Sequence, residues 1–203
     1  MIRKLAALTF ITFVLVFTAL SLRVAAEQAE LAARLIRLHV VGASDSPADQ
    51  ARKLAVRDAL LPEVAALTAG CADAGAAAAA IQGGLPALAE VAARTLGTGE
   101  AAAASLGWET FPRRDYGNFA LPAGTYRALR VTLGAGEGHN WWCVAFPALC
   151  LPAAEADEEA AAFGEAAVAA GLTEGEIELM TSDAAAVQFK FRLLDWLAEV
   201  FGT

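Results

Sequence analysis

The sequence predicts an α+β fold: a mostly antiparallel sheet with helices packed on one face, preceded by an N-terminal apolar helix. Three observations carry that prediction. Residues 5–22 (LAALTFITFVLVFTALSL) contain no charge. Residues 35–41 (LIRLHVV), 125–133 (TYRALRVTL) and 141–146 (WWCVAF) are rich in β-branched and aromatic residues and end at Gly or Pro, as strands do. Alanine-rich stretches with Leu and Val at helical spacing separate the first of these runs from the others. Strands grouped apart from helices indicate α+β rather than a regular α/β alternation.

The N-terminus reads as a targeting segment. Arg3 and Lys4 precede the apolar run, and Val24-Ala25-Ala26 places small residues before Glu27. Basic, apolar and small regions in that order form a secretory signal, with a cut expected after Ala26. An uncleaved membrane anchor competes, because the run is long for a signal core and short for a comfortable span. In the anchored case Arg3 and Lys4 stay inside. Either way the body lies outside the cytoplasm, and the chain divides into residues 1–26 and a single domain of residues 27–203.

That body is acidic. The whole chain has a net charge of -8. With the first 26 residues removed, 12 Lys and Arg face 23 Asp and Glu. Such a surface repels phosphate backbones, which argues against nucleic-acid binding. It also argues against docking on anionic lipid through basic charge.

Each element follows in order. Residues 35–41 alternate with apolar side chains on both faces, as in an interior strand. Residues 42–47 (GASDSP) end it, and Ser46 or Asp45 can cap the next helix, with Pro47 in its first turn. That helix covers about 48–67, with Pro62 expected to interrupt or kink it. A second helix covers about 76–96, its first half weakened by Gly83, Gly84 and Pro86. Strand character resumes near Ala103. Residues 112–117 read as a loop, 118–121 as a short extended piece, and 122–124 (PAG) as a turn. Strands follow at 125–133 and 141–146, with the Gly134–Gly138 segment read as a hairpin turn between them. Residues 153–170 are an acidic, alanine-rich helix or linker, and a last helix starts near Ala184.

Several residues carry possible chemistry. Gly134, Gly136 and Gly138 resemble a phosphate loop, but a strand rather than a helix follows, so the helix amides that bind phosphate are missing. His39 and His139, with Asp45 or Asp115, fall short of the ligand number and spacing of a metal site. No metal and no cofactor is expected. A His–acid pair with Ser44 or Ser46 would suggest a hydrolase, but no nucleophile-elbow pattern accompanies it. Both histidines are expected to bond carboxylate or backbone at the rim of the sheet. Cys143 and Cys150 flank Pro147 at a spacing that permits a disulfide in an oxidising compartment, or two buried thiols; Cys71 is left over. Trp141 and Trp142 must point to opposite faces of a strand, and one that faces outward would be a good binding anchor.

Two blocks are distinctive as wholes: residues 37–64 (RLHVVGASDSPADQARKLAVRDALLPEV) and residues 111–150 (FPRRDYGNFALPAGTYRALRVTLGAGEGHNWWCVAFPALC). Together and in this order they resemble the stage II sporulation protein R family of endospore-forming bacteria; residues 189–197 (FKFRLLDWL) fit as well. The resemblance implies a protein made in the forespore and exported into the intermembrane space. There it would trigger a membrane-bound aspartic protease of the mother cell, which processes the pro-form of sigma-E. It implies a signal rather than an enzyme, and the chain carries no Asp-Thr-Gly or Asp-Ser-Gly triplet. The candidate receptor contacts lie within the motif blocks: His39, Asp45, Asp49, Tyr116, His139, Asn140, Trp141 and Trp142. The alternative from a different class is an extracytoplasmic cell-wall hydrolase using His39, Asp45 and His139.

Overall fold

A computed structural model describes residues 2–97, 99–116, 119–147, 167–168 and 171–181. It divides into two units, residues 1–31 with 182–203, and residues 32–181. The first described element is helix α1 (Ile2–Arg34). It is long and apolar enough to cross a membrane, with a mean hydropathy of 2.4 and none of its apolar window buried. The helix continues past the expected cut after Ala26 to Arg34. An exposed Arg23–Glu27 ion pair of 3.0 Å, one turn apart, suits that continuation.

The larger unit holds strand β1 (Ile36–Val41), helices α2 (Pro47–Thr68) and α3 (Ala74–Leu96), then β2 (Ala102–Phe111), β3 (Arg114–Asp115), β4 (Ala120–Leu121), β5 (Gly124–Leu133), β6 (Asn140–Phe146) and α4 (Glu174–Thr181). Four strands form the main sheet in the order β2-β5-β1-β6, and β3 pairs with β4 separately. The β2–β5 and β1–β6 ladders are antiparallel, and β1–β5 is parallel. The fold is therefore α+β with a mostly antiparallel sheet, as the strand and helix grouping implies.

Period-two alternation splits the sheet into two faces. Ile36, Leu38 and Val40 of β1, with Leu129, Val131 and Leu133 of β5, turn toward the helices. They meet Val56, Leu60 and Val64 of α2 and Ile81, Leu88 and Ala92 of α3. Small side chains let the helices come close: a Cβ on Gly84 of α3 would sit 2.6 Å from Leu67 Cδ1 of α2. All six residues of β1 are buried, which explains its apolar character on both faces.

Caps and breaks follow the sequence with three corrections. Ser46 caps α2 by accepting from the Asp49 amide at 3.1 Å, and Asp73 caps α3 by accepting from Ala76 at 2.8 Å. Both helices run unbroken through Pro62 and Pro86. Each proline lies on an exposed face, while the buried flanking residues Leu60, Val64 and Leu88 hold the turns in place. The stretch expected to be a loop at 112–117 contains β3. The third correction concerns the glycine segment. It is not a hairpin turn, because β1 lies between β5 and β6; residues 134–139 instead cross the end of β1. The helix or linker expected at 153–170 and the helix expected from Ala184 fall largely or wholly outside the described residues, with 167–168 helical.

Candidate functional site

The crossing at the end of β1 brings the two motif blocks together. The turn Gly42–Ser46 leaves β1 and lies against residues 134–139. Gly138 N donates to Gly42 O at 2.9 Å, Glu137 N to Ala43 O at 3.2 Å, and Gly42 N to His139 O at 3.4 Å. Gly138 has no room for a side chain: a Cβ would lie 2.3 Å from Ser44 O. Gly134 and Gly136 take positive φ of 53° and 68°, which the sharp reversal requires and glycine adopts freely.

Side chains then lock the two segments. His139 N donates to Asp45 Oδ1 at 2.6 Å, and His139 Nδ1 also bonds that oxygen. Lys53 of α2 is buried and donates from Nζ to His139 O at 2.9 Å and to Gln50 Oε1 at 2.5 Å. Gln50 Nε2 donates in turn to Ser44 O at 2.8 Å. The Ser44 hydroxyl donates to Asp49, whose other oxygen lies 3.1 Å from Arg52 Nη1. Burial lowers the Lys53 pKa below its ordinary value. The backbone and side-chain bonds from His139 lower Asp45, and the Ser44 and Ser46 bonds lower Asp49.

The two carboxylates give the junction a predictable acid response. Their folded pKa values lie below the ordinary aspartate value of 3.8. Their contribution is therefore full above that value and is lost as pH falls through the lower folded values. Asp45→Asn should reduce the loss of urea resistance as the pH falls below about 4, relative to wild type. An unchanged loss would show that Asp45 does not tie the junction together.

From this junction a polar and aromatic strip runs down the sheet face away from α2 and α3. Asn140 Oδ1 lies 2.9 Å from His39 Nε2, and Glu109 Oε2 of β2 lies 2.7 Å from His39 Nδ1. The second Glu109 oxygen is 3.4 Å from Arg130 Nη1. His39 is buried against Trp142 and Phe111, with ring centroids 5.8 and 5.9 Å away. Below it, Arg37 is fully buried, its guanidinium 4.4 Å from the Phe111 ring centre, 5.2 Å from Tyr126 and 5.8 Å from Tyr116. Arg37 Nε donates to Cys143 O at 3.1 Å, and Nη2 donates to the Tyr116 hydroxyl. The β3–β4 segment supplies Tyr116, stacked on Phe119 at 4.8 Å, and Arg114, whose guanidinium lies 4.7 Å from the Trp142 ring centre.

The structure thus connects most of the expected site residues. Asp45 meets His139, Asn140 meets His39, and Trp142 meets both His39 and Arg114. Asp49 supports the first turn of α2, and Tyr116 reaches the strip through Arg37. Trp141 lies apart: it is on the helix face, partly buried, under the Arg57 guanidinium at 4.4 Å. The two tryptophans do point to opposite faces. The two histidines do not share one site, and no group of three or more His, Cys, Asp or Glu side chains is placed to hold a metal among the described residues. Both ring nitrogens of His39 are occupied, and the Ser44 hydroxyl is committed to Asp49, so neither forms a nucleophile–base pair with the other. Cys143 is disulfide-bonded and Cys71 is a free thiol; Cys150 lies outside the described residues.

The whole sequence places this strip among known proteins. The family model for stage II sporulation protein R matches residues 32–156, more than half of the chain. The chain belongs to the stage II sporulation protein R family. A relative of that name from Bacillus subtilis (strain 168) is 30% identical over 181 residues, which is 82% of this chain and 81% of the relative. No solved structure matches. The family match starts at Ala32, where the compact unit also starts, and it takes in the whole strip from Arg37 to Cys143.

Sequence reasoning missed several members of the junction and the strip. Arg37, Glu109, Phe111, Lys53 and Gln50 all lie within or beside the distinctive blocks. The available signal was an arginine inside the apolar run LIRLHVV, a charge where an interior strand has no water to offer it.

Proposed function

We propose that this chain is an exported developmental signal that acts by touching another protein. Made in the forespore, it crosses the membrane by its N-terminal segment, which serves as a cleaved signal or an anchor. In the intermembrane space it activates a mother-cell membrane aspartic protease, and that protease processes pro-sigma-E. Family membership supports this reading, together with an apolar helix at the start of the chain.

The observation that carries it is the meeting of both distinctive blocks at the end of β1. Residues far apart in sequence form one continuous strip there, whose exposed end is the Asp45–His139 pair, with side chains 56% and 76% accessible. An arrangement that spends so many bonds on holding two loops together is suited to presenting a fixed surface. To activate, that surface must bind the active state of the protease more tightly than the inactive one.

The test is reconstitution in a host that does not sporulate. The host produces the full chain with its N-terminal segment, the protease and pro-sigma-E. Shortening of pro-sigma-E only when this chain is present is the expected result. Equal shortening without it would overturn the reading. The hydrolase alternative is separated by incubating the full chain with purified peptidoglycan, where release of soluble muropeptides would favour an enzyme.

A further inference from the structure

The Arg37 guanidinium is fully buried, yet its Nη1 has no hydrogen-bond partner among the described residues. Its other donors meet a peptide carbonyl and a phenol, both neutral. The groups that act on its charge are Tyr116, Tyr126 and a second cation, Arg114; no carboxylate is among them in the described residues. Three ring faces offset part of the cost of burying the charge. They do not replace the planar, two-oxygen partner that an arginine fork fits best. A buried cation with an empty donor is the costly half of an ion pair.

We infer that Arg37 is a receiving site for a carboxylate brought from outside the chain, closed in this structure by the Tyr116 hydroxyl. Tyr116 and the paired strands β3 and β4 form the cover. The two short strands pair apart from the main sheet, and the cover is held to Arg37 through Tyr116. An entering carboxylate displaces the phenol from Nη2 and takes Nη1 as well. Arg114, above Trp142 at the rim, adds a second positive charge on the path. An acidic side chain of a partner protein and a small free carboxylate present the same chemistry. The inference stands on Arg37 and its cover, independently of the signalling role.

The test uses the full chain in non-ionic detergent, with arginine labelled by nitrogen-15. The Arg37 Nε–H resonance is followed during titration with sodium acetate, with acetamide at equal ionic strength as the neutral control. N-acetyl-aspartic acid amide is the second probe. A saturable shift with either carboxylate and none with acetamide is expected. Tyr116→Phe keeps the ring but removes the competing hydroxyl, so carboxylate affinity should rise about tenfold, the worth of one hydrogen bond. Tighter binding of the aspartyl probe than of acetate assigns the carboxylate to a protein side chain; equal or weaker binding assigns it to a small molecule. No saturable response in either wild type or Tyr116→Phe overturns the inference, as does an affinity that Tyr116→Phe leaves unchanged.

Discussion

Gly138→Ala should destabilise the larger unit by about 3 kcal/mol, near the upper end for forcing atoms into a packed site. The added Cβ would lie 2.3 Å from Ser44 O and 2.6 Å from Ser44 C, both backbone atoms that cannot rotate away. The crossing loop must lift from the end of β1. With it go the Gly138–Gly42 and Glu137–Ala43 bonds, and the grip of Asp45 on His139 weakens. Urea unfolding of the purified chain measures the loss. Gly107→Ala is the control, because a Cβ there meets nothing within 4 Å. Equal urea midpoints for the two variants would mean that the crossing is looser than the structure has it.

Leu38→Ala should cost about 3 kcal/mol as well, through a cavity rather than a clash. Leu38 is fully buried in β1, opposite Leu129 of β5 and Cys143 of β6. It is therefore held from both sides within the sheet, and the helix layer packs over it. Neighbours fixed by two ladders cannot collapse into the vacated space, which keeps the cost in the range for buried leucines. Leu54→Ala, on the exposed side of α2 at 37% accessibility, is the comparison and should change stability by less than about 1 kcal/mol. A Leu38 variant as stable as the Leu54 variant would place the core elsewhere.

The fold was legible where local pattern and long-range packing agree. Residues 36–41 had apolar side chains on both faces because β1 lies between two neighbours. Ser46 and Pro47 marked the start of α2 because capping is chemistry within one turn. The glycine segment was not legible in the same way. A strand, a glycine run and a strand look alike whether the strands pair directly or a third lies between them. The insertion of β1 from far upstream decides it. Helix α4 was overlooked because its apolar content is low, although Thr173 to Glu176 carries a capping box, with the Thr173 amide donating to Glu176 Oε2 at 2.7 Å.

The site divides along the same line. His39, Asp45, His139, Asn140 and Trp142 could be named from the motif blocks, and the structure places them along one strip. Which partner each would meet was not readable. His39 finds Glu109, 70 residues away in sequence, rather than an aspartate of its own block. Arg37 gains its role only once Phe111, Tyr116 and Tyr126 fold around it from separate segments. Trp141 stands among the candidate contacts as part of the same motif block, and strand alternation turns it toward α2.

In the proposed function, the strip starting at Asp45 and His139 is the face that would meet the protease. Photo-crosslinking tests it most directly. A photoreactive residue replaces His139 in one variant and Trp108 in another; Trp108 is 59% exposed on the outer strand β2, on the opposite sheet face. Each variant is produced with the membrane protease and irradiated. A crosslinked product from position 139 and none from position 108 is the expected result. Crosslinking from 108 with none from 139 would contradict it.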